Sequence, residues 1–140
     1  MYSNISENYR SVTFADISTI NPAYAVNPEI DDEKGYTFDL GFRGNFKRKV
    51  SYDANIFLLL YEDRIGFIQK VFADGNVKSE RGNVGNARIY GIETLFDFDL
   101  NEIIFKNNDI DLNYFINYSF IESEYLESDE VGVEGNSVEF

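Results

Sequence analysis

Asp97 and Asp99, followed by Asp109 and Asp111, are the nearest these 140 residues come to the paired carboxylates of acid–base or metal chemistry. Such catalysis needs one carboxyl kept protonated by burial or by a like charge close by. Residues two apart on a strand do point the same way, but a solvated acidic sheet face has the same pattern. The four aspartates are read here as such a water-facing wall. The remaining repertoire is narrow. Histidine and cysteine are both missing, which removes the commonest general base, the thiolate nucleophile, disulfides and the usual metal ligands. Gly85 and Gly91 lack the Lys-Ser/Thr and the helix that a phosphate loop requires. The acidic tail (Glu122, Glu124, Glu127, Asp129, Glu130, Glu134) matches no calcium-loop spacing and reads as a solvated loop. A net charge of −13 excludes nucleic acid, which demands a clustered basic surface. No catalytic residue, cofactor or metal ligand is expected, and the chain is not expected to be an enzyme.

The cations that remain are more suggestive. Arg64, Arg81 and Arg88 fall near the ends of long connections in an otherwise acidic chain. A guanidinium offers paired donors to an anionic chelate. The plainer expectation is pairing with the neighbours Glu62, Asp63 and Glu80. Lys47-Arg48-Lys49, in a short turn, suits solubility or lipid headgroups.

Alternation defines the elements that must carry these residues. Tyr90, Ile92, Thr94, Phe96, Phe98 and Leu100 line one face of a strand, and Glu93, Asp97 and Asp99 the other. A turn-rich Asn83–Asn86 stretch leads into it. Weak alternation spans Tyr9–Ile17, and a turn-rich loop covers 18–34. A strand over Gly35–Arg43 opposes Tyr36, Phe38, Leu40 and Phe42 to Thr37, Asp39 and Arg43. The next, Val50–Tyr61, carries Tyr52, Ile56 and Leu58 against Asp53 and Asn55. A long excursion over 62–83 includes the turn signal Asp74-Gly75. The last strand, Ile110 to Phe120, alternates most cleanly, and a strandless tail follows from Glu122. Five strands are expected, with no helix between them.

Two environments suit such strands: the core of a soluble antiparallel sheet, or lipid. Charge-free apolar faces about ten residues long, tyrosines at their ends (Tyr36, Tyr52, Tyr90, Tyr118) and alternating long and short connections all favour a transmembrane barrel. No apolar run is long enough for a transmembrane helix. The N-terminus has neither the basic flank nor the apolar core of a signal peptide.

Three segments then carry a family resemblance. Asn27-Pro28-Glu29-Ile30-Asp31-Asp32-Glu33-Lys34-Gly35, continuing through Leu40-Gly41-Phe42-Arg43-Gly44, resembles a barrel region of TonB-dependent outer-membrane receptors, except that Asp31-Asp32 stands where Lys-Pro is common. Tyr61-Glu62-Asp63-Arg64-Ile65 is similar to the end of that family's next strand. Asn83, Gly85, Ala87, Gly91 and Glu93 match a third landmark in the right order. The likeness covers about residues 20–121 and points to ferric-citrate and siderophore receptors of the Bacteroidetes kind. It implies an all-β fold of antiparallel up-and-down strands, part of a 22-stranded barrel, with residues 1–140 an incomplete barrel segment lacking the plug. It also implies an outer-membrane location, lipid around the wall, a ferric chelate as cargo, and TonB–ExbB–ExbD acting through the plug. Asp39, Arg43, Asp53, Asn55 and Glu93 become candidate lumen residues, with Arg64, Arg81 and Arg88 as further ligand candidates. The rival expectations are a porin or adhesin barrel, or a soluble β-sheet binding module.

Overall fold

The computed structural model describes residues 1–18, 20–47, 49–105, 112–128 and 132–138. In chain order its elements are β1 (Tyr2–Arg10), α1 (Phe14–Ile17), β2 (Tyr24–Val26), β3 (Glu33–Phe46), β4 (Val50–Val71), β5 (Val77–Asp99), a π-turn at Asn101–Phe105, and β6 (Asn113–Glu127). They form one sheet in the order β1-β3-β4-β5-β2, with β6 also paired to β5. The sheet does not close on itself. It is the partial barrel wall expected, with six strands rather than five. β4 and β5 run for 22 and 23 residues, about twice the length a tilted strand needs to cross a bilayer.

Several boundaries differ from the sequence expectation. The first strand lies at Tyr2–Arg10 instead of Tyr9–Ile17, because Thr13 and Asp16 form a reciprocal capping box that turns 14–17 into a short helix. The 18–34 loop contains β2, which pairs with β5 in parallel, Tyr24 opposite Ser79 and Val26 opposite Arg81. The supposed excursion over 62–83 is two strand arms joined by a tight turn at 72–76. There Gly75 adopts φ +78° and donates to Phe72 O at 2.9 Å, so the Asp74-Gly75 signal was sound while the loop around it was not. Strand structure also continues past Glu122 to Glu127. Residues 106–111, including Asp109, Ile110 and Asp111, lie outside the described residues, as do Arg48, Asp129, Glu130 and Phe140.

The chain divides into two compact units, both built from stretches of the same strands. In the first (Met1–Ile5, Phe38–Leu58, Tyr90–Glu122), β3, β4, β5 and β6 each carry an apolar face that the described residues leave partly open. Phe42, Ile56, Ile92, Ile116 and Phe120 are all between 43% and 49% exposed. In water each would forgo about half of the ~1.5–3 kcal/mol that full burial of such a side chain contributes. The described buried apolar residues (Ile65, Val84, Ala87, Ile89, Val138) all belong to the second unit. Gly91 marks a close approach on the other face. A Cβ there would stand 2.4 Å from Phe120 O and 2.7 Å from Phe57 Cζ. The tip of the Phe57 ring therefore occupies the space that a side chain at position 91 would need.

In the second unit (Ser6–Thr37, Leu59–Ile89, Ser123–Phe140), the Asn83–Asn86 stretch is a staple inside β5. Asn83 Nδ2 donates to Asp63 O at 2.6 Å and Asp31 O at 3.0 Å, and its Oδ1 accepts from Asp31 N at 2.7 Å. Asn86 Oδ1 accepts from Asp63 N at 3.2 Å. Asp63 is thereby held at φ +54°, a left-handed conformation unusual for a residue other than glycine. Gly85, between the two asparagines, has φ +144°. Burial along β5 changes phase at this point, from Glu80, Gly82 and Val84 to Ala87 and Ile89, the shift a β-bulge produces. Arg81 and Arg88, an odd and an even position, consequently share a face.

Substituting Gly91 by Val should break the β5–β6 contact at Phe120 and cost about 1–3 kcal/mol or more, seen as loss of the folded, heat-modifiable band of the receptor in unboiled gels. Expressed alone, residues 1–140 should require detergent to stay monodisperse. A cooperative, detergent-free monomer would contradict the bare-face reading.

Candidate functional site

Within the first unit, the water-facing sides of β3, β4, β5 and β6 enclose a concavity of about 390 Å³ lined by Arg43, Asp53, Asn55, Glu93, Asn117 and Ser119, with Tyr2 at its edge. Strand alternation sends these side chains to one side. Arg43 donates through Nε at 2.8 Å and Nη2 at 2.5 Å to Asp53 Oδ2. Tyr2 O–H donates to Asp53 Oδ1 at 3.3 Å, and the Arg43 guanidinium stands 5.9 Å from the Tyr2 ring centre. Asn55 Oδ1 is buried without a hydrogen-bond partner among the described residues, while Glu93 offers an exposed carboxylate. Four of the five candidate lumen residues therefore meet at one place. Asp39 sits apart and accepts from Asn4 Nδ2 at 3.2 Å. Among the described residues no group of three acidic, His or Cys side chains is placed to hold a metal ion. With its ion pair neutralised, this face supplies amides, a hydroxyl and one free carboxylate. These groups can hydrogen-bond water or a polar solute.

The three arginines lie in the second unit. Arg81 donates through Nε at 2.8 Å and Nη2 at 2.6 Å to Asp16 Oδ1, with its guanidinium 4.6 Å from the Phe67 ring centre. Tyr24 meets that ring edge-on at 5.6 Å. Arg10 Nη2 donates to the same Asp16 oxygen at 2.7 Å, and its Nη1 is 3.7 Å from Glu33 Oε2. Asp16 Oδ2 accepts from Thr13 N at 3.0 Å and Thr13 Oγ1 at 2.7 Å. Arg88 pairs with Glu124 across β5–β6, and the Arg64 guanidinium lies 5.0 Å from the Tyr61 ring centre. The expected partners Glu62, Asp63 and Glu80 are not those of Arg81; Glu80 instead pairs with Lys70 at 2.9 Å. Folding of the β1–β3 connection decides this by bringing Asp16 to Arg81, 65 positions away in sequence. Arg10 and Asp16 were missed as site residues. The available signal was Thr13-x-x-Asp16, a capping pattern ahead of a helical turn.

Asp16 is only 3% exposed. Burial alone would raise its pKa, but the hydrogen bonds from Thr13, Arg81 and Arg10 prevail and hold the carboxyl well below the usual carboxylate range. A depressed folded-state pKa stabilises the fold above the unfolded-state value, near 3.9, and that stabilisation is lost as pH falls towards the folded-state value. The β1–β3 connection should therefore keep its hydrogen-exchange protection from pH 8 to about pH 5 and loosen below about pH 4. Asp16→Asn should weaken it by about 2–3 kcal/mol at neutral pH, near the lower end for a buried pair because both arginines stay partly solvated, and should abolish the acid-dependent step.

Comparison with known proteins agrees with the geometry. A family model described as TonB dependent receptor-like, beta-barrel, matches residues 1–140. No curated protein matches the chain. Among solved structures, one described as Copper transporter OprC superposes with a TM-score of 0.66 over 88% of this chain, at 17% sequence identity. At that identity the likeness concerns the fold alone, and this chain spans 18% of that one. The open sheet, its uncovered apolar face and the family match lead to one conclusion: the chain belongs to the TonB-dependent receptor family, as a stretch of the β-barrel these proteins place in the outer membrane of Gram-negative bacteria.

Proposed function

We propose that the protein to which this barrel stretch belongs is an active importer of a ferric chelate, ferric citrate or a siderophore, driven through TonB–ExbB–ExbD. The family match over all 140 residues carries the transporter reading. In it, residues 1–140 are an incomplete barrel segment, the plug lies elsewhere in the protein, and the face bearing Arg43, Asp53, Asn55 and Glu93 looks into the lumen. Support for a chelate comes from the three sequence landmarks and from the arginines, which suit an anionic complex. Imidazole, thiolate and thioether ligands that favour copper are nearly absent here: no His, no Cys and one Met. A copper site would have to come from the rest of the protein.

Deleting the gene should reduce uptake of radiolabelled iron from nanomolar ferric citrate to background, and a protonophore should do the same in the parent strain. Unchanged iron uptake with lost copper uptake would overturn the cargo. Uptake insensitive to the protonophore, together with an open reading frame lacking a plug of roughly 150 residues, would indicate a passive barrel instead.

A further inference from the structure

Three guanidinium donors converge on one oxygen of Asp16: Arg81 Nε at 2.8 Å, Arg81 Nη2 at 2.6 Å and Arg10 Nη2 at 2.7 Å. Burial of Asp16 at 3% exposure calls for several donors, and two separate arginines supply them. Two arginines facing a single carboxylate form a ready-made anion site, because planar guanidinium forks match carboxylate geometry. The site is also built. Phe67 backs the Arg81 guanidinium at 4.6 Å and Tyr24 braces Phe67 from the side, while Glu33, 3.7 Å from Arg10 Nη1, offsets part of the charge of that arginine alone. The arginine side chains remain 21% (Arg81) and 39% (Arg10) exposed, whereas Asp16 is 3% exposed. Asp16 itself belongs to a helical turn of four residues in a connection whose own apolar side chains turn outward, Phe14 at 81% and Ile20 at 99% exposed. Polar anchors hold this connection down: Asp16 on Arg10 and Arg81, Asp32 on Val12 N and the Tyr9 hydroxyl, Asn27 N on Arg81 O, and Asp31 on Asn83.

We propose that Arg10 and Arg81 form a binding site for a carboxylate-rich anionic ligand, and that Asp16 occupies it as an internal stand-in which such a ligand must displace. The inference rests on the reading of this protein as a transporter of an anionic chelate and adds a capture site with a built-in competitor. A polycarboxylate offers several carboxylates where Asp16 offers one, but Asp16 is tethered and competes at a high effective concentration. Occupancy by the ligand therefore releases the β1–β3 connection from Arg81, while the empty site keeps it docked. Reserving the arginines for the competent fraction lowers apparent affinity by that same fraction.

The test uses the full-length receptor in detergent, with iron-free citrate and ferric citrate as probes in titration calorimetry. Asp16→Asn should bind citrate about tenfold or more tightly than the parent, and Arg81→Gln should lose that binding in either background. Limited proteolysis of the unmutated receptor gives an independent readout: citrate should increase cleavage within residues 11–32. Equal or weaker citrate binding by Asp16→Asn, or protection of 11–32 by citrate, would overturn the proposal and leave Asp16 a structural staple. The iron-uptake measurement separates the two readings. Normal ferric-citrate import with no affinity gain in Asp16→Asn sinks the self-occlusion alone. Absent import with the gain present sinks the cargo assignment and leaves the anion site standing.

Discussion

An apolar face with no protein layer over it is the constraint on which the rest of this structure depends. Phe42, Ile56, Ile92 and Phe120 stand open because their partner is hydrocarbon rather than another sheet. Lipid cannot hydrogen-bond a backbone, so strands in that environment must satisfy their N–H and C=O groups on each other. Long, continuous pairing follows, and it leaves little tolerance for error where strands approach closely. Gly91 under the Phe57 ring is one such place. There the aromatic of the mostly polar face sits without lifting β5 away from the Phe120 carbonyl. The same requirement separates the two faces chemically, so charge accumulates on the water side, where Arg43 and Asp53 neutralise each other.

Away from the bare face, side-chain hydrogen bonds take over from burial. Only five apolar residues are buried among those described, too few to fix the conformation of residues 6–37 and 59–89. Asn83 and Asn86 supply specificity instead, by binding the backbone of Asp63 and Asp31. Asp16 does the same through charge. Polar staples of this kind are directional, which suits the register-changing level at Gly85 and the docking of a long connection that has no hydrophobic interior of its own.

Legibility in the sequence followed the same division. The strands at Phe38–Phe42, Tyr52–Leu58 and Tyr90–Phe98 could be read because each residue's environment repeats every second position. The arms at 62–71 and 77–83 could not. They carry Glu62, Lys70, Lys78 and Glu80 on strands whose alternation shifts at Asp63 and Gly85, so a fixed-period reading sees a loop. Gly85 and Asn86 read as turn residues for the same reason: glycine and asparagine serve a bulge as well as a turn. The lumen candidates came out largely together because they lie within one regular stretch. The partners of Arg81 and Arg88 depend on contacts 65 and 36 positions away.

By itself the sequence determined the two-faced strands, the absence of His and Cys chemistry, and the landmarks that mark the receptor family. These are local properties, set by side-chain alternation and composition. Tertiary structure alone decided that Asp16 meets Arg10 and Arg81, that β2 pairs in parallel with β5, and that Arg81 and Arg88 come to one face. Each of these outcomes depends on where the 11–32 connection folds back and on a one-residue phase shift in β5. Neither is encoded in the identity of any single neighbour; both follow from the hydrogen bonds that close when distant strands are already side by side.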